Sequence, residues 1–435
     1  MGSQQQTSVL LQAHADLVTD AAYDYYGLRL ATCGLDHKIK IWILDESTGS
    51  LTAEDEWRAH DAPIVKLSWA HPENGSVVAS CSFDRTVKIW EERKHEAKLA
   101  RWVNRSTLTE ARGSVRSLEF APQHFGLKLA TLSTDMQLRI YECVDMPSLS
   151  NWTVVEEFDL SVLPSPVHTS SQGTPTLTGA HLDPSASSSM ASAVPSNLNP
   201  NTVHPSGAAA TPSPGTHTRQ QAEHEPGVGD DGDGVPPAPM RDNLGSREAD
   251  GGWSLSWCKD KWWGQIMAVA CGTSNILKII EFPTAQHPIT HLELKHDAPV
   301  SKPSKGSSSH QQQHPAQPPA ITSVAWAPSC GRSYHLVATG SRDCMVRIWK
   351  LKPPKRAGAE GEDGRWSGSL IADFNDHRAS VGRVEWNVTG TILSSAGDDG
   401  QVRLFKQAYG STWRGIGGFT TEQMDDSDDG IEERP

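Results

Sequence analysis

A thirteen-residue pattern recurs along this 435-residue chain and leaves few architectures open. Leu30-Ala-Thr-Cys-Gly-Leu-Asp-His-Lys-Ile-Lys-Ile-Trp42 returns as Val78-Ala-Ser-Cys-Ser-Phe-Asp-Arg-Thr-Val-Lys-Ile-Trp90. Further copies run from Leu129 to Tyr141, Val337 to Trp349 and Leu393 to Phe405, with a weaker one from Ala268 to Ile280. Each copy reads as two alternating strands around a tight turn carrying an aspartate. A third alternating strand precedes most copies, as at Leu67-Ser-Trp69, Ser117-Leu-Glu-Phe120, Leu255-Ser-Trp257, Val324-Ala-Trp326 and Val384-Glu-Trp386. A fourth, less regular strand leads into each unit. Neighbouring copies lie 48, 51 and 56 residues apart where no insert intervenes. Four short antiparallel strands per unit of this length make a β-propeller blade, so the expectation is an all-β chain of six blades.

The columns of the repeat are more specific than its length. Four residues before the turn aspartate stands Thr32, Ser80, Thr131, Thr339 or Ser395. The turn residues are Asp36, Asp84, Asp135, Asp343 and Asp399, and the strand ends in Trp42, Trp90, Tyr141, Trp349 or Phe405. His14, His60 and His377 precede their aspartates by 22 to 24 positions. In this the chain resembles the WD-repeat superfamily. A histidine can bond both the hydroxyl and the aspartate, while the indole N–H donates to the same hydroxyl. Reading His, Asp and Ser as a catalytic triad fails because a set repeated in several blades is architecture. The fourth unit has Ala270, Ser274 and Ile280 in these columns and is expected to be held by packing alone and to be the least rigid.

Composition divides the chain. Residues 161–250 hold no aromatic residue and 13 of the 28 prolines, whereas all 15 tryptophans lie elsewhere. A segment so poor in apolar groups cannot offset the entropy of ordering and is expected to be a disordered insert between blades three and four. A shorter polar insert spans 296–320. The resulting organisation is blades one to three in 1–160, the insert 161–250, blades four to six in 251–415, and an acidic tail in 416–435. That tail is most simply a solvated end, with a charge handle or a phosphosite at Ser427 as the alternative.

Several function classes are disfavoured. A net charge of −13 with no dense Lys/Arg run argues against direct nucleic-acid binding. No apolar run of 18 residues is present, so no transmembrane segment is expected, and no secretory signal is read at the N-terminus. Gln6 occupies the position where a myristoylation signal needs Ser or Thr. The seven scattered cysteines form no C-x-x-C pair and are expected as free thiols. Asn74, Asn104, Asn151 and Asn387 each begin an N-x-S/T triplet, which is meaningless outside the secretory lumen. No phosphate loop, nucleophile elbow or paired metal ligands appear, so neither an enzyme nor a cofactor is expected.

The chain ends raise a strand-counting question. Ser8-Val-Leu-Leu-Gln12 looks like the strand that leads into other units, and Thr412 to Phe419 looks like an outer strand for blade six. If both form, residues 8–12 are left over and the ring need not close on itself. An open ring exposes blade edges that a partner can cover by strand addition. In the other reading 412–419 stays disordered and 8–12 closes the ring.

Longer stretches carry a closer resemblance. Tyr23-Asp-Tyr-Tyr-Gly-Leu-Arg-Leu-Ala-Thr-Cys33, Trp69-Ala-His-Pro72 and Ala79-Ser-Cys-Ser-Phe-Asp-Arg85 are similar to the small WD-repeat scaffold proteins of the nuclear pore and the COPII coat. Phe120 to Ala130, Arg139-Ile-Tyr-Glu142, Leu149-Ser-Asn-Trp152 and the run from Phe374 to Arg403 favour the pore branch, the Seh nucleoporin family. Gly331-Arg-Ser-Tyr-His-Leu336 and Leu351-Lys-Pro353 agree with it. The resemblance implies an open six-bladed propeller completed in trans by a seventh blade from an α-helical nucleoporin, within the Y-shaped pore scaffold and beside its other subunits. It implies support of protein and mRNA transport, and a second place in a GATOR/SEA-type complex regulating TOR at the lysosomal or vacuolar surface. The strand Ser8, Val9, Leu10, Leu11 and Gln12 is the expected partner-binding edge. Neither insert belongs to the family pattern. The alternatives are the sister COPII subunit at ER exit sites and a ubiquitin-ligase substrate receptor. The latter rests on Trp90-Glu-Glu-Arg93, which resembles an adaptor-docking box but reads equally as a strand end followed by solvated charges.

Overall fold

The computed structural model describes residues 13–93, 101–146, 148–164, 251–283, 287–296, 320–354, 365–409 and 412–420. These residues belong to one unit; a second unit, His168–Arg241, lies outside them. Most of the expected insert 161–250 and the whole strand 8–12 also lie outside the described residues.

Six four-stranded antiparallel sheets follow one another along the chain. Blade one comprises β1 (Val18–Tyr23), β2 (Arg29–Gly34), β3 (Lys38–Asp45) and β4 (Ser50–Arg58). Blade two comprises β5 (Ile64–Trp69), β6 (Val77–Ser82), β7 (Val87–Glu92) and β8 (Trp102–Leu108). Blade three has β9 (Val115–Phe120), β10 (Lys128–Ser133), β11 (Gln137–Cys143) and β12 (Trp152–Asp159). Blade four has β13 (Gly252–Trp257), β14 (Ile266–Gly272), β15 (Ile276–Glu281) and β16 (Ile289–Lys295). Blade five has β17 (Ile321–Trp326), β18 (His335–Ser341), β19 (Val346–Lys352) and β20 (Ser367–Phe374). Blade six has β21 (Val381–Trp386), β22 (Ile392–Gly397), β23 (Gln401–Gln407) and β24 (Trp413–Thr420). The expected all-β, six-bladed propeller is what forms.

The repeat dictates local geometry in two places. At the turn between the second and third strands, the aspartate accepts the backbone N–H two residues on: Lys38 to Asp36 at 3.1 Å, Thr86 to Asp84 at 2.9 Å, Gln401 to Asp399 at 3.1 Å. This Asx turn throws the residue between them into the left-handed region, with φ of 65° at His37, 67° at Arg85 and 69° at Gly400. At the end of the third strand, a bulge separates Ile41 from Trp42 and recurs in all six blades, as at Ile348/Trp349 and Leu404/Phe405. An extra residue there increases local twist and re-aims the aromatic toward the preceding blade.

Blade four corrects one alignment. Val269 faces Leu255 as Thr32 faces Ala21, so Val269, not Ala270, occupies the hydroxyl column. The turn carries one extra residue, and Ser274 Oγ replaces the aspartate by accepting the Ile276 N–H at 3.1 Å. With Val269 in place of the hydroxyl, packing holds this part of the blade. Trp257, Met267, Leu277 and Ile279 are fully buried.

Candidate interaction interface

The polar sets expected from the repeat assemble inside three blades. His14 Nδ1 lies 3.0 Å from Asp36, its Nε2 lies 2.8 Å from Thr32 Oγ1, and Trp42 Nε1 donates to that hydroxyl at 2.9 Å. His60, Asp84, Ser80 and Trp90 repeat this at 2.8, 2.8 and 3.0 Å. His377 joins Asp399 at 3.1 Å and Ser395 at 2.7 Å, with Phe405 supplying no indole donor. Burial works against the Asp399 charge, but N–H groups of Arg378 and Gln401 and the His377 ring outweigh it and hold its carboxyl at about 2. Burial lowers the affinity of the His60 ring for a proton, against the pull of Asp84.

Blades three and five depart from the scheme. In blade five, Trp349 Nε1 donates to Thr339 at 3.2 Å and His296 Nε2 lies 3.1 Å from the same oxygen. His296 was hidden from sequence reasoning because the polar insert separates it from Asp343 by 47 positions; the signal was the His296-Asp297 pair, matching His60-Asp61. Arg347 stands between them, its Nη1 3.0 Å from His296 and its Nη2 2.8 Å from Asp343. Burial, with Arg347 adjacent, pushes the His296 ring down to about 3. In blade three no histidine joins the set, and Arg139 bonds Asp135 at 3.1 Å and Ser133 at 3.0 Å, as Arg347 bonds Asp343 and Ser341 in blade five. Because these sets sit inside the blades, they rigidify strands and offer no surface.

The surface of interest emerges between blades. Five apolar clusters join blade one to two, two to three, and so on to six. The second and third strands of each blade cluster with the inner strand of the next, as Ile39 and Ile41 do with Ile64 and Leu67. Among the described residues no such cluster joins blade six to blade one. Val402 and Leu404, which stand where Ile39 and Ile41 stand in blade one, remain half-buried, whereas Val346 and Ile348 are fully buried. On the other side of the seam Val18 is 48% exposed, against 0% for its counterparts Ile64, Ile321 and Val381. Tyr23 is 56% exposed where Trp257 is 0%.

The polar groups at the seam differ as well. At most boundaries a side chain on the inner strand accepts a backbone N–H from the next blade. Asp20 accepts from Leu67 at 2.9 Å, Ser254 from Val324 at 2.9 Å, and Ser323 from Val384 at 3.0 Å. In blade six that position holds Arg383, which has no acceptor to offer and instead pairs with Asp20. Blade six is complete without any N-terminal strand, since β24 pairs with β23 along its whole length. Of the two readings of the chain ends, an ordered outer strand near 412–419 is therefore the one that forms. The expected partner-binding residues Ser8, Val9, Leu10, Leu11 and Gln12 lie outside the described residues.

The remaining sequence-level candidates carry less. No helix among the described residues is long and apolar enough to cross a membrane. Cys33, Cys81, Cys143, Cys258 and Cys271 are buried free thiols, and Cys330 is exposed. Trp90 of the adaptor-like stretch is buried beneath Trp57 and the Glu92 carboxylate is held by Arg29 at 2.8 Å, so only Glu91 and Arg93 present side chains to solvent.

Comparison with known proteins agrees with this architecture. The family described as WD domain, G-beta repeat matches residues 3–42, 52–91, 307–350 and 368–406. The chain is 29% identical to Nucleoporin SEH1 of Saccharomyces cerevisiae, over 94% of this chain and 98% of that protein. It is 29% identical to Nucleoporin seh1 of Schizosaccharomyces pombe, over 94% and 95%. It is 30% identical to Nucleoporin SEH1 of Homo sapiens, over 93% of this chain and 85% of the relative.

Proposed function

Since the chain belongs to the SEH1 family of WD-repeat nucleoporins, we propose that it is a scaffold subunit of the Y-shaped nuclear pore complex whose seam between blades six and one receives a blade from an α-helical nucleoporin. Family membership supports a structural, non-catalytic role at the nuclear pore. The seam as the receiving site is supported by one observation. The blade six face, with Val402 and Leu404, and the blade one face, with Val18 and Tyr23, are apolar and, among the described residues, lack the cluster that every other boundary has.

An incoming blade would bury both faces, gaining roughly 25 cal/mol for each Å² of apolar surface removed from water. It would add backbone pairing only at its own strands, because β24 already completes blade six. Residues 8–12 are then free to contribute a strand to the incoming blade. In this reading the protein supports protein and mRNA transport alongside the other Y-complex subunits. The same seam serves a GATOR/SEA-type TOR-regulating assembly at the lysosomal or vacuolar surface, one partner at a time.

The test is co-purification with helical scaffold nucleoporins of the same cell. Leu404→Arg and Val402→Arg place charge on the seam and are expected to abolish the complex while the propeller stays folded by circular dichroism. Deleting residues 1–13 is expected to weaken it. Complexes undiminished by the two arginines would overturn the seam as the binding site.

A further inference from the structure

We propose that the acidic segment Asp425–Glu433 of this chain docks into a cationic cavity on the propeller axis. The cavity, about 280 Å³, opens where the inner strands begin. Lys66, Arg116, Arg342 and Arg383 line it, against two carboxylates, Asp20 and Asp398. A net-positive hollow is a local exception in a chain whose net charge is −13. Its arginines are held in place: Arg116 lies over the Phe83 ring at 4.8 Å and the Trp253 ring at 5.4 Å, Arg342 donates to the Gly251 carbonyl at 3.4 Å, and Arg383 pairs with Asp20. A fixed group of cations loses little freedom on meeting an anion and so favours an acidic ligand.

Topology brings the acidic segment to the same end of the molecule. Thr420, the last residue of β24, faces Gln401, just after the turn that carries Asp398. Sheet order places β24 three strands out from β21, whose Gly382 and Arg383 line the cavity. At a strand spacing of roughly 4.8 Å this is about 14 Å. Residues 421–424, extended, span roughly 14 Å. A linker of that length lets Asp425 reach the rim, and the stretch holding Asp425, Asp426, Asp428, Asp429, Glu432 and Glu433 has a maximum reach of about 30 Å. Screening makes the docking salt-sensitive, with a Debye length of about 8 Å at physiological ionic strength and about 3 Å at 1 M.

The test is zero-length carbodiimide coupling on the full chain, with peptide mapping by mass spectrometry. The expected result is an amide between Lys66 and a carboxylate of residues 425–433 as the main crosslink of that segment. It should form within one molecule in a mixture of ¹⁵N-labelled and unlabelled chains, and be lost at about 1 M salt. In parallel, acetylation of Lys66 should rise several-fold when Asp425, Asp426, Asp428 and Asp429 are all changed to Asn. Coupling spread evenly over other lysines, crosslinks that mix isotopes, or equal Lys66 acetylation in both proteins would overturn the proposal.

Discussion

Arg383 of β21 and Asp20 of β1 form an ion pair across the boundary between the sixth and first blades. The other Asp20 oxygen accepts the Leu67 N–H of blade two at 2.9 Å, so one carboxylate ties three blades together. Asp20→Ala orphans a buried backbone donor as well as the arginine and is expected to cost about 1–3 kcal/mol. Arg383→Ala leaves Asp20 bonded to Leu67 and should cost less than half as much. Urea unfolding of both variants decides this; equal losses would assign the stabilisation to the ion pair alone.

The open seam predicts an asymmetry in core truncations. Ile348 and Leu404 occupy the same position in successive blades, yet Ile348 is fully buried and Leu404 only half. Ile348→Ala is expected to lose about 2–4 kcal/mol, and Leu404→Ala under about 1 kcal/mol in the isolated protein. In a complex that fills the seam the two costs should converge. Similar values without a partner would mean that blade six already packs against blade one.

Thr339 is the shared acceptor and donor of the blade five set. Thr339→Val keeps the shape and removes the hydroxyl, leaving His296 Nε2 and Trp349 Nε1 without that partner. The expected loss is about 1–3 kcal/mol in chemical denaturation. A neutral outcome would show that blade five needs only its packing, as blade four does around Val269.

Acid sensitivity should come in two stages. Burial depresses His296 to about 3 and His335 to about 4 in the folded state, against an ordinary value near 6.5. Below roughly pH 6.5 the unfolded chain takes up these protons first, so stability falls as pH drops toward 4, by up to about 1.4 kcal/mol per pH unit for each histidine. Asp36, Asp84, Asp135, Asp343 and Asp399 are depressed below the usual carboxylate range despite their burial. Their stabilisation is present above about pH 4 and is lost as pH falls through their folded values. His296→Gln should reduce the first stage in thermal scans between pH 7 and 4 to the part His335 contributes and leave the second in place.

The thiols should separate by access. Burial pushes Cys81 and Cys258 up to about 12 and Cys271 to about 11, while Cys330 is exposed. Maleimide labelling of the native protein is expected at Cys330 first, and at the five buried cysteines only on unfolding. Rapid native labelling of Cys81 would indicate that the boundary between blades two and three opens.

The repeat alone specified strand type, blade number and the polar sets of blades one, two and six. Hydroxyl, aspartate, aromatic and histidine recur at fixed spacings, and each satisfies a neighbour within the same blade. Blade five's histidine escaped because an insert displaced it along the chain without moving it in space. Blade four's column slipped by one residue because a longer turn preserves strand pairing while shifting the count. What sequence could not decide was whether the ring closes. Closure depends on how Val18, Tyr23, Val402 and Leu404 meet across 380 residues of chain, and nothing local to those residues distinguishes them from their buried counterparts. Only the tertiary structure, by pairing β24 with β23 and leaving no sixth apolar cluster among the described residues, set a boundary apart from the other five. Local hydrogen bonds write themselves into residue spacing; the fit of two distant faces does not.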